Sequence, residues 1–167
     1  MTTSATDVSA ETGAYLDPSC SVVNRAYSNA RATEVYGGQI FEVKSDGTYA
    51  LMREYRFRKK STFSRWVNGQ LWNEKPRVDP PLLYSSGARF TSCRLIKGPT
   101  SSEEGSHYTA KWYGAPYRGK VELWLTSDES KLRKILATYD DYLRPAPYAS
   151  QVELFNYDPD NTEFPKP

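Results

Sequence analysis

The sequence predicts an α+β domain: a mainly antiparallel sheet with an N-terminal helix and one further helix packed across the sheet. Three observations predict it. Several segments alternate apolar and polar residues with a period of two, as half-buried strands do. The dipeptides Asp46-Gly47 and Asn68-Gly69 favour tight hairpins. Two longer segments place apolar residues at helical spacing. The alternative is a strongly curved, barrel-like sheet.

The chain of 167 residues is divided by its hydrophobic pattern into three parts. We expect a polar tail over 1–16, a single α+β domain over 17–157 and an acidic, Pro-containing tail over 158–167. The opening residues lack the apolar stretch of a secretory signal, and no segment approaches the roughly 20 apolar residues that span a bilayer. We therefore expect a soluble, intracellular protein in the cytoplasm, an organelle or a particle. Its two cysteines, Cys20 and Cys93, are expected to be reduced thiols, although their spacing alone does not decide whether they pair.

The first helix is predicted over about residues 19–35. Asp17 can cap it, and Pro18 suits its first turn, where no backbone donor is needed. Gly37-Gly38 is expected to end it.

A hairpin is predicted next, from strands 39–44 and 48–59 joined at Ser45-Asp46-Gly47. One face of its second strand collects apolar side chains, namely Tyr49, Leu51, Tyr55 and Phe57. The other face collects charged ones, namely Glu54, Arg56, Arg58 and Lys60. Arg53 departs from the pattern, because it lies on the apolar face and needs a polar partner there.

Two tryptophans flank the next predicted hairpin, over 63–74. A two-residue loop at Asn68-Gly69 would set Trp66 opposite Leu71 and Arg65 opposite Trp72, so the two indoles would point to opposite faces. A single core cannot bury two indoles that point to opposite faces of the sheet. One indole therefore stacks under Arg65 as a cation–π pair or is covered by something else, which makes this hairpin the best indicator of a contact surface.

The C-terminal half is predicted as strands over 89–97, 107–113 and 119–126, followed by a second helix. The third strand turns Val121, Leu123 and Leu125 inward and Trp124 outward. Thr126 with Glu129 fits a capping box. An apolar stripe then predicts a helix over 131–143, formed by Leu132, Ile135, Leu136, Tyr139 and Leu143. Val152 and Leu154 mark a last short strand.

The sequence shows no recognisable set of catalytic residues. The one histidine, His107, has no nominated nucleophile or orienting acid. Adjacent carboxylates, as in Asp128-Glu129, do not face each other across a cleft. Glycine-rich phosphate motifs are absent, and one histidine with two separated cysteines makes no metal set. We therefore name no catalytic residue, cofactor or metal, and favour a non-enzymatic protein.

Net charge is +2, from 22 basic and 20 acidic residues, which is a small excess for a protein that binds phosphate backbones. RNA or single-stranded DNA binding is still an alternative, because residues 53–66 interleave cations and aromatic rings. A third alternative is a curved sheet that encloses a small ligand, or an unrecognised enzyme, although the Gly-x-Trp strand of calycin barrels is missing.

Residues 88–161 resemble the small linker domain that caps phycobilisome rods. The resemblance is carried by Phe90–Gly98, Lys120–Leu125, Lys131–Leu143 and Val152–Tyr157, in the order strand, strand, amphipathic helix, strand. The chain departs from the pattern where Pro-rich Arg144–Ser150 replaces the Gly-Gly that follows the helix. The resemblance implies a non-enzymatic linker that plugs the cavity of a ring-shaped pigment–protein assembly.

We therefore predict a structural or assembly protein that docks onto protein partners in a larger complex. The partner-binding surface is predicted at Arg56, Arg58, Lys60, Arg65, Trp66, Trp72 and Trp124. The tails would make auxiliary contacts, and a small-molecule ligand is the less favoured partner.

Overall fold

A computed structural model of the chain describes residues 15–67, 71–99, 105–114, 116–140 and 149–158. Most of both predicted tails, the Asn68-Gly69 loop and the end of the predicted second helix lie outside the described residues.

The N-terminal helix is present but shorter than predicted. A 3-10 turn, Pro18–Cys20, leads into α1, Ser21–Ala32. Asp17 caps the turn, because its Oδ1 accepts the Ser19 backbone N–H at 2.8 Å. Gly37-Gly38 does not end the helix, since both glycines lie inside the first strand.

Nine strands form one antiparallel sheet in the order β4-β3-β2-β1-β11-β10-β9-β8-β7. They are β1 (Val35–Val43), β2 (Tyr49–Arg58), β3 (Ser61–Trp66), β4 (Asn73–Pro76), β7 (Phe90–Lys97), β8 (His107–Gly114), β9 (Tyr117–Leu125), β10 (Leu132–Tyr139) and β11 (Ser150–Asn156). A separate ribbon joins β5 (Leu83–Tyr84) to β6 (Gly87–Ala88). Two meanders, β1 to β4 and β7 to β11, meet where β1 pairs with β11. The predicted fold class is confirmed, and the sheet is not closed.

The second predicted helix is wrong, because Leu132–Tyr139 is strand β10. A hairpin turn stands where a capping box was expected: the Thr126 N–H donates to the Lys131 carbonyl at 2.8 Å, and Glu129 has a φ of 65°. The register shifts by one residue after Leu132. This bulge puts Leu132 and Ile135 on the same face, a spacing of three that imitates a helix.

A second bulge corrects the predicted faces of β2. Ile40 pairs with Arg53, but Phe41 pairs with Leu51, so Met52 is the extra residue. Tyr55 and Phe57 are buried on the same side as Arg53, as expected. Tyr49 and Leu51 lie on the opposite face.

The main core forms where α1 covers β7 to β10. Val23, Ala26 and Tyr27 of the helix pack against buried side chains of these strands, including Phe90, Leu123, Leu125 and Leu132. The inward direction predicted for Val121, Leu123 and Leu125 is confirmed, since all three are buried.

A disulfide joins Cys20 to Cys93, so the expectation of two reduced thiols is wrong. The start of α1 is held against β7 by hydrogen bonds as well. Asp17 Oδ2 accepts the Ser92 N–H at 2.8 Å, and Ser19 Oγ accepts the Cys93 N–H at 3.1 Å. Among the described residues, no helix is long and apolar enough to cross a membrane.

Candidate functional site

The half of the sheet that α1 leaves uncovered bounds a cavity of about 610 Å³. Its floor is the inner face of β1 to β4, and residues 76–80 form one wall. Apolar groups include Ile40, Phe57, Trp66, Leu71 and Val78, whereas polar groups include Arg31, Arg53, Tyr55, Lys75 and Glu153. The lining is therefore amphipathic.

The wall at residues 76–80 is held in place by the side chain of Arg77. Its guanidinium donates to the carbonyls of Thr33, at 3.0 Å, and Arg31. It also lies 4.7 Å from the centre of the Phe57 ring. The Tyr27 hydroxyl adds a bond to the Pro80 carbonyl at 3.0 Å. Because these contacts reach α1, the residue that follows it and an aromatic ring, the wall belongs to the folded domain.

An aromatic cluster of Tyr36, Tyr55 and Phe57 forms part of the floor, where Tyr55 and Phe57 line the cavity. The ring centres of Tyr36 and Phe57 are 4.8 Å apart, and those of Tyr55 and Phe57 are 5.1 Å apart. Interlocked rings of this kind have little rotamer freedom. The rings therefore give the floor a fixed, packed surface.

Tyr55 reaches across β1 to β11, where its hydroxyl donates to Glu153 Oε2. The ring passes over Gly38, its cross-strand partner, at a place where any Cβ would collide with it. Burial raises the pKa of Tyr55 well above its usual value, and the nearby charge of Glu153 raises it further. Tyr55 therefore stays a hydrogen-bond donor at ordinary pH.

Arg31 contributes a cation at the helix end of the cavity. Its Nη1 donates to the Tyr36 hydroxyl at 3.1 Å, and its guanidinium lies 5.3 Å from the Tyr27 ring centre. Burial acts to lower the pKa of Arg31, but interactions with Tyr36, Tyr27 and Glu153 outweigh it, so the net shift is upward. Arg31 is therefore permanently charged.

Arg53 lies on the cavity side of β2, opposite Ile40 on one neighbour and Trp66 on the other. Its Nε is buried and has no hydrogen-bond partner among the described residues. Buried donors are nearly always paired in folded proteins, so this orphan is unusual.

Three of the predicted partner-binding residues come together on the opposite face of the sheet. The guanidinium carbons of Arg56 and Arg65 lie 5.4 Å and 4.7 Å from the Trp72 ring centre. Arg65 also forms an ion pair with Glu54 at 2.8 Å. The expected stacking of one indole with Arg65 is thus present.

The other predicted residues lie elsewhere. Arg58 and Lys60 border a separate shallow hollow at the turn between β2 and β3. Trp66 lies at the cavity, 47% exposed. Trp124 is on β9, where it stacks on His107 at 4.3 Å and lies 4.7 Å from Lys134 Nζ. The seven residues do not form one surface, and their role in binding stays a prediction.

Sequence reasoning did not nominate Arg31, Tyr55 or Glu153. Glu153 meets the cavity only because β11 inserts beside β1, a pairing between distant parts of the chain. Arg53 did give a signal, since it broke the alternation of β2.

No protein-family model matches the chain, and no curated protein matches it. One similar solved structure is a LolA superfamily protein from Nitrosomonas europaea. It is 11% identical, the match covers 83% of this chain and 90% of that chain, and the TM-score is 0.30. A TM-score of this size does not establish a common fold.

The predicted phycobilisome linker is wrong. The amphipathic helix that carried the resemblance is strand β10. The prediction of an assembly protein, based on unpaired indoles, is also wrong. Trp72 is covered by Arg56 and Arg65, and Trp124 is stacked on His107, so the chain itself pairs both rings.

Proposed function

We propose that the chain binds a small amphipathic molecule in the cavity over β1 to β4. The observation that carries the proposal is a space of about 610 Å³ that the side chains of the domain leave unfilled. Ligand sites typically have volumes of about 300–1,000 Å³ and combine apolar walls with a few convergent polar groups.

The rigidity of the site supports the same function. Its floor consists of interlocked rings, and Arg77 fixes its wall through several hydrogen bonds. A site that is already formed loses little conformational entropy when a ligand binds, which favours affinity.

We further propose that the protein works in an oxidising compartment. The Cys20–Cys93 disulfide supports this, because disulfides persist in such compartments and are rare in reducing cytosol. This replaces the expectation of an intracellular protein with reduced thiols.

Binding of Nile red, a neutral dye whose emission rises in apolar surroundings, tests the proposed cavity. Ser64 lines the floor and has room above it, so Ser64→Trp should fill the space and weaken dye binding at least about tenfold, equivalent to ~1.4 kcal/mol. Ser28→Trp places the same side chain on the exposed face of α1 and should leave the affinity unchanged.

Thermal unfolding of both variants shows whether they are folded. Dye binding that is absent in the wild type, or equal in the two tryptophan variants, would refute the cavity as a binding site.

A further inference from the structure

The charges around the cavity are unbalanced. Arg31, Arg53 and Lys75 line it as cations, and Glu153 is the carboxylate among the lining residues. Arg65 also borders the cavity, but its charge is paired with Glu54. Within the described part of the chain, three cations therefore face one carboxylate. Such a space has a positive potential and attracts an anion.

Glu153 does not neutralise Arg53. Both residues pair with Ile40, from opposite sides, so they lie two strand spacings apart, or about 9–10 Å at the backbone. No ion pair within 4.0 Å joins them in the described residues, and the Glu153 carboxylate instead accepts the hydrogen bond of Tyr55. Within the described ranges, the cation of Arg53 therefore has no anionic partner.

The geometry of Arg53 is explained better by the binding of a ligand group than by a structural role. Its buried Nε lacks a hydrogen-bond acceptor among the described residues, and guanidinium groups bind carboxylates and phosphates with paired N–H donors. Its neighbours across the sheet, Ile40 and Trp66, are apolar. An anion held at Arg53 would therefore have an apolar surface on both sides for the rest of the molecule.

We infer that the ligand is an amphipathic anion, and that Arg53 binds its carboxylate or phosphate group while Ile40, Phe57 and Trp66 contact its apolar part. This inference rests on the proposed binding function of the cavity. Arg31 and Lys75 contribute positive charge from the surrounding lining.

Three ligands that share one alkyl chain test the inference: dodecanoate, dodecyl phosphate and dodecanol. Their affinities are measured below micelle-forming concentrations, by displacement of Nile red from the wild-type protein. We expect at least one of the two anions to bind about tenfold or more tightly than the alcohol. The comparison of the two anions identifies which head group the site prefers.

Arg53→Met keeps an unbranched, flexible side chain that reaches the position of Nε, and it removes the guanidinium with its charge and donors. We expect this variant to bind dodecanol as the wild type does and to lose most of its preference for the anions. Arg25→Met, on the exposed side of α1, is the matched control and should retain the full preference.

The outcomes separate the two claims. If all three ligands bind the wild-type protein equally, the inference fails while the binding cavity stands; this comparison needs no variant. If Arg53→Met weakens the binding of the alcohol and of the anions by the same factor, Arg53 does not recognise the negative charge of the ligand. If none of the three ligands displaces the dye, and Ser64→Trp leaves dye binding intact, both the inference and the proposed function fail.

Discussion

Gly38 decides where the polar groups of the cavity meet. The Tyr55 ring passes over this glycine of β1 on its way to Glu153, and a Cβ there would overlap the ring. The φ of Gly38 is not in the left-handed region, so the requirement is for space and not for an unusual backbone. A single hydrogen atom in place of a methyl group thus permits a contact between β2 and β11.

Gly38→Ala should destabilise the domain by about 1–3 kcal/mol, because the buried ring of Tyr55 would have to leave its position. Urea unfolding measures the change in the free energy of unfolding. Gly98→Ala is the control, since the space around Gly98 is open, and it should change stability by less than about 0.5 kcal/mol. Equal effects of the two substitutions would contradict the overlap described here.

At the scale of elements, two bulges determine which side chains face the cavity and which face the main core. The extra residue in β2 keeps Arg53, Tyr55 and Phe57 on the inner face while Tyr49 and Leu51 turn outward. The extra residue in β10 brings Leu132 and Ile135 onto the face that α1 covers. One inserted residue therefore changes the face of every side chain on one side of it.

The 3-10 turn before α1 should give the stability of the domain a dependence on acidic pH. The pKa of Asp17 is lowered from 3.8 by hydrogen bonds, first from the Ser92 backbone and then from Ser19. A lowered pKa in the folded state means that the stabilisation is complete above the unfolded value. It disappears as the pH falls through the folded value.

Asp17→Ala should therefore cost about 1 kcal/mol near neutral pH, the usual value of a helix cap, and progressively less below about pH 4. Urea unfolding near neutral pH and again below about pH 4 measures the difference in free energy of unfolding between wild type and variant at each pH. Ser28→Ala, an exposed substitution without a titrating group, should give a difference that does not change with pH. A cost of Asp17→Ala that persists unchanged in acid would show that its charge is not involved.

At the scale of the whole molecule, the two halves of the sheet differ in what they pack against. The β7 to β10 half is covered by α1 and contains the main core. The β1 to β4 half carries the cavity over a smaller aromatic cluster. The Cys20–Cys93 disulfide closes a sequence separation of 73 residues that includes both the helix and the cavity strands.

Removal of this disulfide should destabilise the whole domain. A bridge across 73 residues contributes about 4 kcal/mol in the chain-entropy model, so Cys20→Ala combined with Cys93→Ala should lower the free energy of unfolding by roughly that amount. Urea unfolding of the oxidised wild type, the reduced wild type and the double variant measures it. Reduced wild type and double variant should agree, and a wild type that is insensitive to reduction would contradict the prediction.

The sequence alone determined the local structure where the signal is short-range. Alternating residues in β2 and β9, the turn at Asp46-Gly47 and the cap at Asp17 each depend on neighbours within a few positions, so pattern predicted a mainly antiparallel sheet and its first helix. Even the signal of the cavity was partly local, since Arg53 broke the alternation.

Only the tertiary structure decided the rest. The β10 strand was mistaken for a helix because a bulge gives Leu132 and Ile135 a spacing of three. The pairing of β1 with β11, which brings Glu153 to Tyr55, and the pairing of Cys20 with Cys93 join residues far apart in the chain. Such contacts form because segments that are distant in the chain bury surface together. The periodicity within one segment does not specify which other segment it will pair with.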